Sequence, residues 1–438
     1  MHKEFHYTFA LLGVSILAFC LKYLITVFLA NHLSPGLFGD VSIALRALGI
    51  FSSLVLLGTT ASSKRFLSHY IEINDSLNAK AYILWNFRLF ATTSIICLLV
   101  AIISTSVFLL LDYLKIFSID NYHIAFYTLW ITPIASLGIL ITNYLSCDKH
   151  AIAGYTFANV GKYTSLLVFL LFVIVFFHRG LTSFNFLFIL FLALLALFFV
   201  EFLFLLKKTS LISVALAKTT ATVSNETKRE WLYSSYRLIV TNLIFLIVCF
   251  LDLFILEIFS AQENDVGYYS AALTIASILW VIPDGVFQFL KPKMTGYLKT
   301  PEGKIKLQKK LNRINLIVFL VATVAAVVLI VFGNIFLLHF GKAYSVAHTA
   351  LTLVVLGNYI GIMQKSPTFL LIYSGQEHLI LRISIVQIIL LLVTGIPLAY
   401  FYNLNGMAVA TAVSFCLIFF PLVYFARKKS QIRPLTIF

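Results

Sequence analysis

The fold is decided by long apolar stretches, of which residues 312–338 are typical: NRINLIVFLVATVAAVVLIVFGNIFLL. About 20 apolar residues in a helix are enough to cross the roughly 30 Å hydrocarbon core of a bilayer. Water is absent there, so the backbone groups of a spanning segment must bond within a helix or a closed barrel. The stretch is too long and too uniformly apolar for a barrel strand. It therefore predicts a transmembrane helix.

The same pattern recurs along the whole chain. Of the 438 residues, 61% are hydrophobic and 11% are charged, and the mean hydropathy is +0.98. Soluble domains carry about 25% charged residues, so this chain has too few charges to cover a water-facing surface. The pattern predicts an all-α integral membrane protein with twelve transmembrane helices, at 8–30, 37–63, 83–111, 122–145, 152–177, 184–206, 235–259, 266–290, 312–338, 347–373, 380–402 and 405–426.

Basic residues are distributed unevenly between these spans. If the N-terminus is cytoplasmic, 23 Lys and Arg lie in inner segments, counting Arg313 and Arg382 at the adjoining ends of two spans, and three, Lys115, Arg179 and Lys342, lie in outer ones. The positive-inside rule therefore predicts that both termini are cytoplasmic. This topology accounts for most of the net charge of +15, so the charge does not indicate a nucleic-acid partner. The two long basic inner segments are expected to lie on anionic membrane lipids.

Several classes of protein are disfavoured. The first span is longer than the apolar core of a signal peptide and is interpreted as a retained helix. The five cysteines lack the spacing of a disulfide framework. We find no metal-ligand spacing and no catalytic motif, and the outer segments are too short to build a catalytic loop. The sequence therefore predicts a protein that is not an enzyme and needs no metal or other cofactor.

An internal repeat divides the chain. Gly39-Asp-Val-Ser42-Ile-Ala44-Leu45 matches a segment 228 residues later, Gly267-Tyr-Tyr-Ser270-Ala-Ala272-Leu273. The same offset pairs Ser146 with Ser374 and His150 with His378. Six spans per repeat give both halves the same orientation, an arrangement typical of transporters. The predicted domains are an N-terminal six-helix lobe (1–206), a basic cytoplasmic linker (207–234) and a C-terminal six-helix lobe (235–438).

Charged residues inside the spans need an explanation, because one at the bilayer centre costs about 2.5–3.5 kcal/mol on insertion scales. Arg46 shares a helical face with Ser42, Gly49, Ser53 and Thr60, and we expect this polar face to line a lumen. The alternatives for each such cation are a structural ion pair and snorkelling to the membrane surface. The cations predicted to bind substrate in the lumen are Lys22, Arg46, Arg88, Lys162 and Lys365.

Acidic residues inside the spans are fewer. Asp252 and Asp284 are predicted either to pair with a lumenal cation or to bind a coupling H⁺ or Na⁺. Glu201 and Glu257 lie near the ends of their spans and are expected to reach water. Asp284 also belongs to a polar face on the eighth span that the repeat pairs with the face of Arg46. Its members are Ser270, Thr274, Ser277, Asp284 and Gln288.

Four short motifs carry a family resemblance. They are Asn31-His-Leu-Ser34-Pro35-Gly-Leu-Phe38-Gly39, Val266-Gly267-Tyr268-Tyr269-Ser270, Ser374-Gly375-Gln376-Glu377 and Asn405-Gly406-Met407-Ala408. Together they resemble the Wzx-type O-antigen and capsular polysaccharide flippases of the multidrug/oligosaccharidyl-lipid/polysaccharide (MOP) exporter superfamily. The resemblance implies two six-helix lobes in a V-shaped, MATE-like arrangement, a cationic central lumen and alternating access.

The resemblance also implies a function. The substrate would be an undecaprenyl-pyrophosphate-linked oligosaccharide, the repeat unit of O-antigen, capsule or exopolysaccharide. The protein would flip it from the inner to the outer leaflet of a bacterial cytoplasmic membrane, using its cations to bind the diphosphate. A polysaccharide polymerase and a chain-length regulator are implied as candidate partners. Which glycan is carried, and whether H⁺ or Na⁺ is coupled, stays open.

Other functions compete with this one. A multidrug exporter of the same superfamily would move organic cations, for which acidic or aromatic lumen walls are expected. Here five candidate lumenal cations outnumber two acids, which favours an anionic substrate. A membrane-embedded glycan polymerase or ligase is less compatible with the short outer segments, and a scaffold would leave the repeat and the lumenal charges without a role.

Overall fold

The computed structural model describes residues 2–435, except for 116–122, 149, 178–181, 210–223 and a series of gaps between 282 and 299. All regular structure in the described residues is helical. The first half of the chain forms α1 (His2–His32), α2 (Pro35–Leu56), α3 (Thr59–Glu72), α4 (Ser76–Tyr113), α5 (Ile124–Cys147), α6 (Ala151–Thr156), a π-helical turn (Phe157–Gly161), α7 (Lys162–Phe177) and α8 (Ser183–Lys208).

The second half continues with longer helices. Its elements are α9 (Asn225–Phe259), α10 (Asp265–Ala276), α11 (Pro301–Leu338), a 3₁₀ turn (Lys342–Ala347), α12 (His348–Met363), α13 (Lys365–Tyr373) and α14 (Glu377–Ser430).

Within the described residues, ten helical segments are long and apolar enough to cross a membrane. The eighth predicted span coincides with a shorter apolar helix, Asp265–Val281. The last two predicted spans lie within α14, which breaks at Asn403 (φ 52°), between the predicted limits 402 and 405. The helical class is confirmed, and the number of twelve crossings stays a prediction.

Polar residues define where several helices begin. The Asp75 side chain caps α4 by accepting a hydrogen bond from the backbone N–H of Asn78 at 3.0 Å. This bond, with a second one from the Asn78 side chain, lowers the pKa of the Asp75 carboxyl. Thr300 caps α11 in the same way through Gly303, and Pro301 occupies the first helical position, where its missing N–H costs nothing.

The second predicted span, 37–63, was expected to be one helix, but the structure has two helices there. Leu57 (φ 46°) and Gly58 (φ 75°) end α2 in left-handed conformations, and α3 starts at once with Thr59. Gly58 is required here for a second reason: a Cβ at this position would collide with the carbonyl oxygen of Ser235 on α9. The apolar run gave no sign of this break, because the break depends on the backbone angles of two residues.

A buried polar network holds the start of α3. The Ser62 hydroxyl lies 2.8 Å from the Tyr82 hydroxyl and 2.7 Å from the Ser235 hydroxyl. The amide of Asn86 donates to the Tyr144 hydroxyl at 2.9 Å. These groups are buried, and their mutual hydrogen bonds offset the cost of removing them from water. The network therefore fixes α3 against α4, α5 and α9.

The chain packs into two compact units. One contains Met1–Gly39 with Ile247–Phe438, and the other contains Asp40–Leu246. In the second unit, the fully buried Trp231 of α9 lies with its ring centroid 5.1 Å from that of Tyr82. The predicted linker 207–234 lies partly outside the described residues, and its end forms the first turns of α9. The units divide the chain differently from the predicted lobes, which rest on the repeat and stay a prediction.

Repeat-equivalent residues meet within the first unit. A Cβ on Gly39 would lie 2.9 Å from the backbone nitrogen of Gly267, 228 positions later. A Cβ on Gly267 would collide with the carbonyl oxygen of Pro35, and one on Gly36 would lie 3.5 Å from the side chain of Asn264, its own equivalent. Contacts between equivalent positions are produced by a local two-fold axis that passes between them. The glycines of the repeated motif are therefore needed because two backbones touch.

The Gly267→Ala variant should be destabilised. Overpacking a close contact costs about 1–3 kcal/mol, which is a few degrees in the unfolding midpoint of a chain of this size. Thermal unfolding of the detergent-solubilised protein measures this shift. Gly13→Ala is the matched control, because nothing lies within 4 Å of its added Cβ, and it should keep or raise the midpoint. Equal midpoints for both variants would contradict the backbone contact.

Candidate functional site

A cavity with both polar and apolar walls lies beside the face of α2 that carries Arg46. Gly49 and Ser53 follow Arg46 at i+3 and i+7 and therefore share its side of the helix. Both residues line a cavity of about 140 Å³, and its walls also include residues of the α2–α3 break, α5 and α9: Leu56, Gly58, Thr60, Ile139, Asn242 and Leu246. We call this the helix-2 cavity. It lies wholly within the unit Asp40–Leu246.

The walls of the helix-2 cavity combine polar and apolar groups. The Asn242 side-chain amide donates to the Ser53 hydroxyl at 2.8 Å, which fixes α9 against α2 at this level. A cavity of this size holds several water molecules but not a sugar chain. Gly49, Ser53 and Thr60 belong to the face predicted to line a lumen, and all three line the cavity. The half-buried Arg46 lies one turn before it.

The other two candidate cations of this unit differ in setting. Arg88 is exposed on α4, a helix of 38 residues that extends about 57 Å and is longer than the bilayer is thick. Arg88 can therefore snorkel to the surface. Lys162 is half-buried and follows the π-helical turn directly.

The π-helical turn changes which residues share a face with Lys162. In an uninterrupted α-helix, the 3.6-residue period would place Tyr155 and Asn159 on the same face as Lys162. The i→i+5 bonding of a π-turn inserts residues into this period, so the alignment across Phe157–Gly161 does not hold. The Asn159 amide instead donates to the carbonyl oxygen of Tyr155 at 2.8 Å. The sequence carries no signal for this turn.

Lys22 and Lys365 lie in the other unit. Lys22 is half-buried on α1, and the hydroxyl of Thr26 donates to its carbonyl oxygen at 2.9 Å. Lys365 starts α13 after a break at Gln364 within the predicted span 347–373. Its Nζ lies 4.9 Å from the ring centroid of Trp280. A cation–π contact of this kind is worth about 0.5–2 kcal/mol, so Lys365 has a structural interaction whatever else it binds.

Of the two candidate acids, the structure describes only Asp252. Asp252 is buried, and its Oδ2 accepts from the Tyr269 hydroxyl at 3.4 Å. The Tyr269 hydroxyl in turn lies 3.1 Å from that of Thr411, which follows the Asn405–Ala408 motif on α14. Asp284 lies outside the described residues.

The polar face predicted on the eighth span is more enclosed than expected. Ser270 and Thr274 are 3% and 7% exposed, so neither borders an open cavity here. The hydroxyl of Ser277 bonds back to the carbonyl oxygen of Thr274 at 2.7 Å. Helical spacing placed these residues on one face correctly, but a shared face does not determine what covers it. Gln288 lies outside the described residues.

The expectation for Glu201 was wrong. Its position five residues before the end of the predicted span 184–206 suggested that it reaches water. In the structure α8 packs against α5 and α7, and the Glu201 side chain is only 1% exposed. The sequence did contain a signal for burial, because Glu201 is a lone acid in an otherwise apolar helix. The short distance to the end of the span was misleading, because it suggested exposure to water.

The structure divides the candidate residues between its units. Lys22, Lys365 and Asp252 belong to one unit, and Arg46, Arg88 and Lys162 belong to the other. Their role in binding a substrate stays a prediction.

The contact between Lys365 and Trp280 can be measured with a double-mutant cycle. Lys365→Met and Trp280→Leu should each lower the unfolding midpoint, and together they should lower it by less than the sum. A coupling of about 0.5–2 kcal/mol is expected from the cation–π contact. Trp130→Leu combined with Lys365→Met is the control pair, since Trp130 belongs to the other unit, and it should be additive. Additivity in both pairs would contradict the contact.

No protein-family model matches the sequence, and no curated protein matches it. Solved structures do match the fold. An inward-facing multidrug resistance MATE family transporter of the MOP superfamily has a TM-score of 0.75 and 14% identity, covering 97% of this chain and 98% of its own. The eukaryotic MATE transporter AtDTX14 has a TM-score of 0.64 and 13% identity, with 98% of each chain covered.

A third match is an outward-facing multidrug resistance MATE family transporter of the MOP superfamily. Its TM-score is 0.60 and its identity 15%, covering 97% of this chain and 96% of its own. At this low identity the matches establish the fold, which is that of MATE transporters. Together with the ten apolar helices, the fold makes this chain a multi-pass membrane protein.

Proposed function

We propose that the protein is a flippase that moves a lipid-linked, anionic oligosaccharide across a bacterial cytoplasmic membrane. The observation that carries this proposal is the sign of the intramembrane charge: the predicted spans hold five candidate cations, against the two candidate acids Asp252 and Asp284 and the enclosed acid Glu201. The transporter fold supports it, since this fold is known in solved transporters of the MOP superfamily. The four motifs point to Wzx-type flippases within that superfamily.

Cations suit this substrate for a physical reason. A diphosphate-linked glycan must take its negative charge and its sugar hydroxyls through hydrocarbon, while its polyprenyl tail can stay in lipid. Lys and Arg compensate the diphosphate charge, and Arg does so with a planar fork of donors that matches phosphate oxygens. Arg46 lies one turn from the helix-2 cavity, where water and hydroxyl groups can keep it solvated while no substrate is bound.

The proposed direction is from the inner to the outer leaflet. With both termini cytoplasmic, a negative-inside potential favours outward movement of an anion by about 2.3 kcal/mol per charge per 100 mV. The protein then needs to alternate its access and to lower the barrier. Solved transporters of this fold have inward-facing and outward-facing conformations, which fits alternating access. Coupling to H⁺ or Na⁺, and partnership with a polymerase and a chain-length regulator, belong to the same proposal.

A multidrug exporter is the second candidate. It is favoured by the solved structures with this fold, two of which are described as multidrug resistance transporters. The two functions require lumens of opposite charge, because a drug exporter moves organic cations. The cation excess in the spans therefore ranks the flippase first.

Complementation of a flippase-null bacterium matched to the native glycan tests the proposal. Arg46→Ala and Lys22→Ala, at equal membrane expression, should reduce surface glycan about tenfold or more and leave lipid-linked repeat units inside. This magnitude follows from losing a charge-assisted hydrogen bond, about 1.5–3 kcal/mol. Arg46→Lys should retain part of the activity, because the charge remains but the planar fork is lost.

Lys342→Ala is the matched control, since this exposed cation lies outside the predicted spans, and it should export normally. Normal export by both Arg46→Ala and Lys22→Ala would show that these cations do not bind the substrate. Failure of the wild-type protein to export glycan, with resistance to cationic drugs in its place, would establish the second candidate.

A further inference from the structure

Glu201 is a carboxyl group enclosed by protein within an apolar helix. The segment around it, FVEFLFLL (199–206), has no other charge. The side chain is 1% exposed, and its Oε2 has no hydrogen-bond partner among the described residues. An ionised carboxylate in such a place is disfavoured, because the enclosed Oε2 has lost its water without gaining a donor from the described residues. The geometry therefore favours the neutral, protonated form.

Three helical segments enclose this carboxyl group. On α5, a Cβ added to Gly138 would lie 3.3 Å from Glu201 Oε2, so the glycine leaves the room that the carboxyl occupies. On α8, Leu197 and Phe204 lie at i−4 and i+3 and share the face of Glu201. Both contact the π-helical turn. The Phe204 and Phe157 ring centroids are 5.4 Å apart, and a Cβ on Gly161 would lie 3.0 Å from Leu197 Cδ1.

The surroundings fit a proton better than a metal cation. A metal cation such as Na⁺ needs several oxygen ligands, whereas Leu197, Phe157 and Phe204 offer none. The carbonyl oxygen of Gly138 already accepts from the Thr142 hydroxyl at 3.1 Å. The titratable side chains on α5 and α7, which pack against α8, are Tyr127, Tyr144, Cys147, Lys162 and Tyr163, and the His150 ring contacts Phe204 of α8.

We propose that Glu201 is a proton-binding site and that its proton controls the packing of the π-helical turn that precedes Lys162. Binding converts the carboxylate and one H⁺ into a neutral carboxylic acid, which is compatible with the closed, apolar packing. Release leaves a carboxylate that needs water or a cation, so the contacts of Phe157 and Gly161 with α8 must loosen. Lys162, the next residue after the turn, then changes position. The consequence for transport rests on the proposed function, whereas the proton site does not.

Infrared difference spectroscopy on the purified protein tests the site without any substrate. A shift from low to high pH should remove the C=O band of a protonated carboxyl group in the wild type. Glu201→Gln should lack this band, while Glu201→Asp should retain it at a shifted frequency. Glu226→Gln is the control, because this exposed acid lies at the start of α9, and it should keep the band. An unchanged band in Glu201→Gln would overturn the proposal.

Hydrogen exchange tests the link to the π-helical turn. Once corrected for the intrinsic effect of pH, exchange in peptides covering 155–163 should be several-fold faster in the wild type than in Glu201→Gln at high pH. It should be equal at low pH, where both side chains are neutral. Because Gln has the shape of the protonated acid, the variant should also keep the unfolding midpoint. Equal exchange at both pH values would overturn the coupling.

Transport forms the last arm of the test. In proteoliposomes that flip the glycan, a pH gradient should alter the wild-type rate severalfold and leave Glu201→Gln unaffected. A rate that responds equally in both would overturn the role of this proton in transport. If the wild type moves no glycan, the proposed function fails, while the infrared and exchange results still decide the proton site.

Discussion

The structure depends on one constraint: a polar group inside hydrocarbon must find its partner within the protein. Hydroxyl groups in the spans satisfy it by bonding back to their own helix, as Thr26 does to Lys22 and Ser136 does to Thr132. At the break after α2, polar side chains form hydrogen bonds with side chains of neighbouring helices instead. Ser62, Tyr82 and Ser235 form such a group at the break after α2. At this break, the bend and the polar network therefore occur together.

This constraint also explains how far the sequence predicted the fold. Apolar runs reveal the helices because the bilayer sets a minimum length for them, and the predicted spans lie on helical segments wherever the structure describes them. The kink at Asn403 was predicted because it separates two full-length runs. The breaks at Gly58 and Gln364 and the π-turn were missed, since each leaves the run apolar and depends on local backbone geometry.

In the candidate site too, the features that depend on local sequence were predictable, and the features that depend on tertiary packing were not. Arg46 and its polar neighbours were recognisable because charge is rare in a span and helical spacing is regular. The helix-2 cavity was not, since three of its eight lining residues, Ile139, Asn242 and Leu246, come from α5 and α9, far away in the sequence. For Glu201, a local signal gave a wrong prediction. Its distance from the end of a span suggested water, whereas the packing of α5 and α7 against α8 decides its exposure.

The contact of Gly39 with Gly267 has a consequence for how this sequence can change. If the repeat arose by duplication, two residues that meet across a local two-fold axis descend from one codon. The backbone of each residue limits the size of the side chain that the other can carry. Mutation acts on them separately, but selection acts on the pair. The two halves of such a protein are free to diverge almost everywhere, as they have here. At this contact, however, both halves need a small residue. Across related chains, the two positions should stay small together long after the similarity around them has faded.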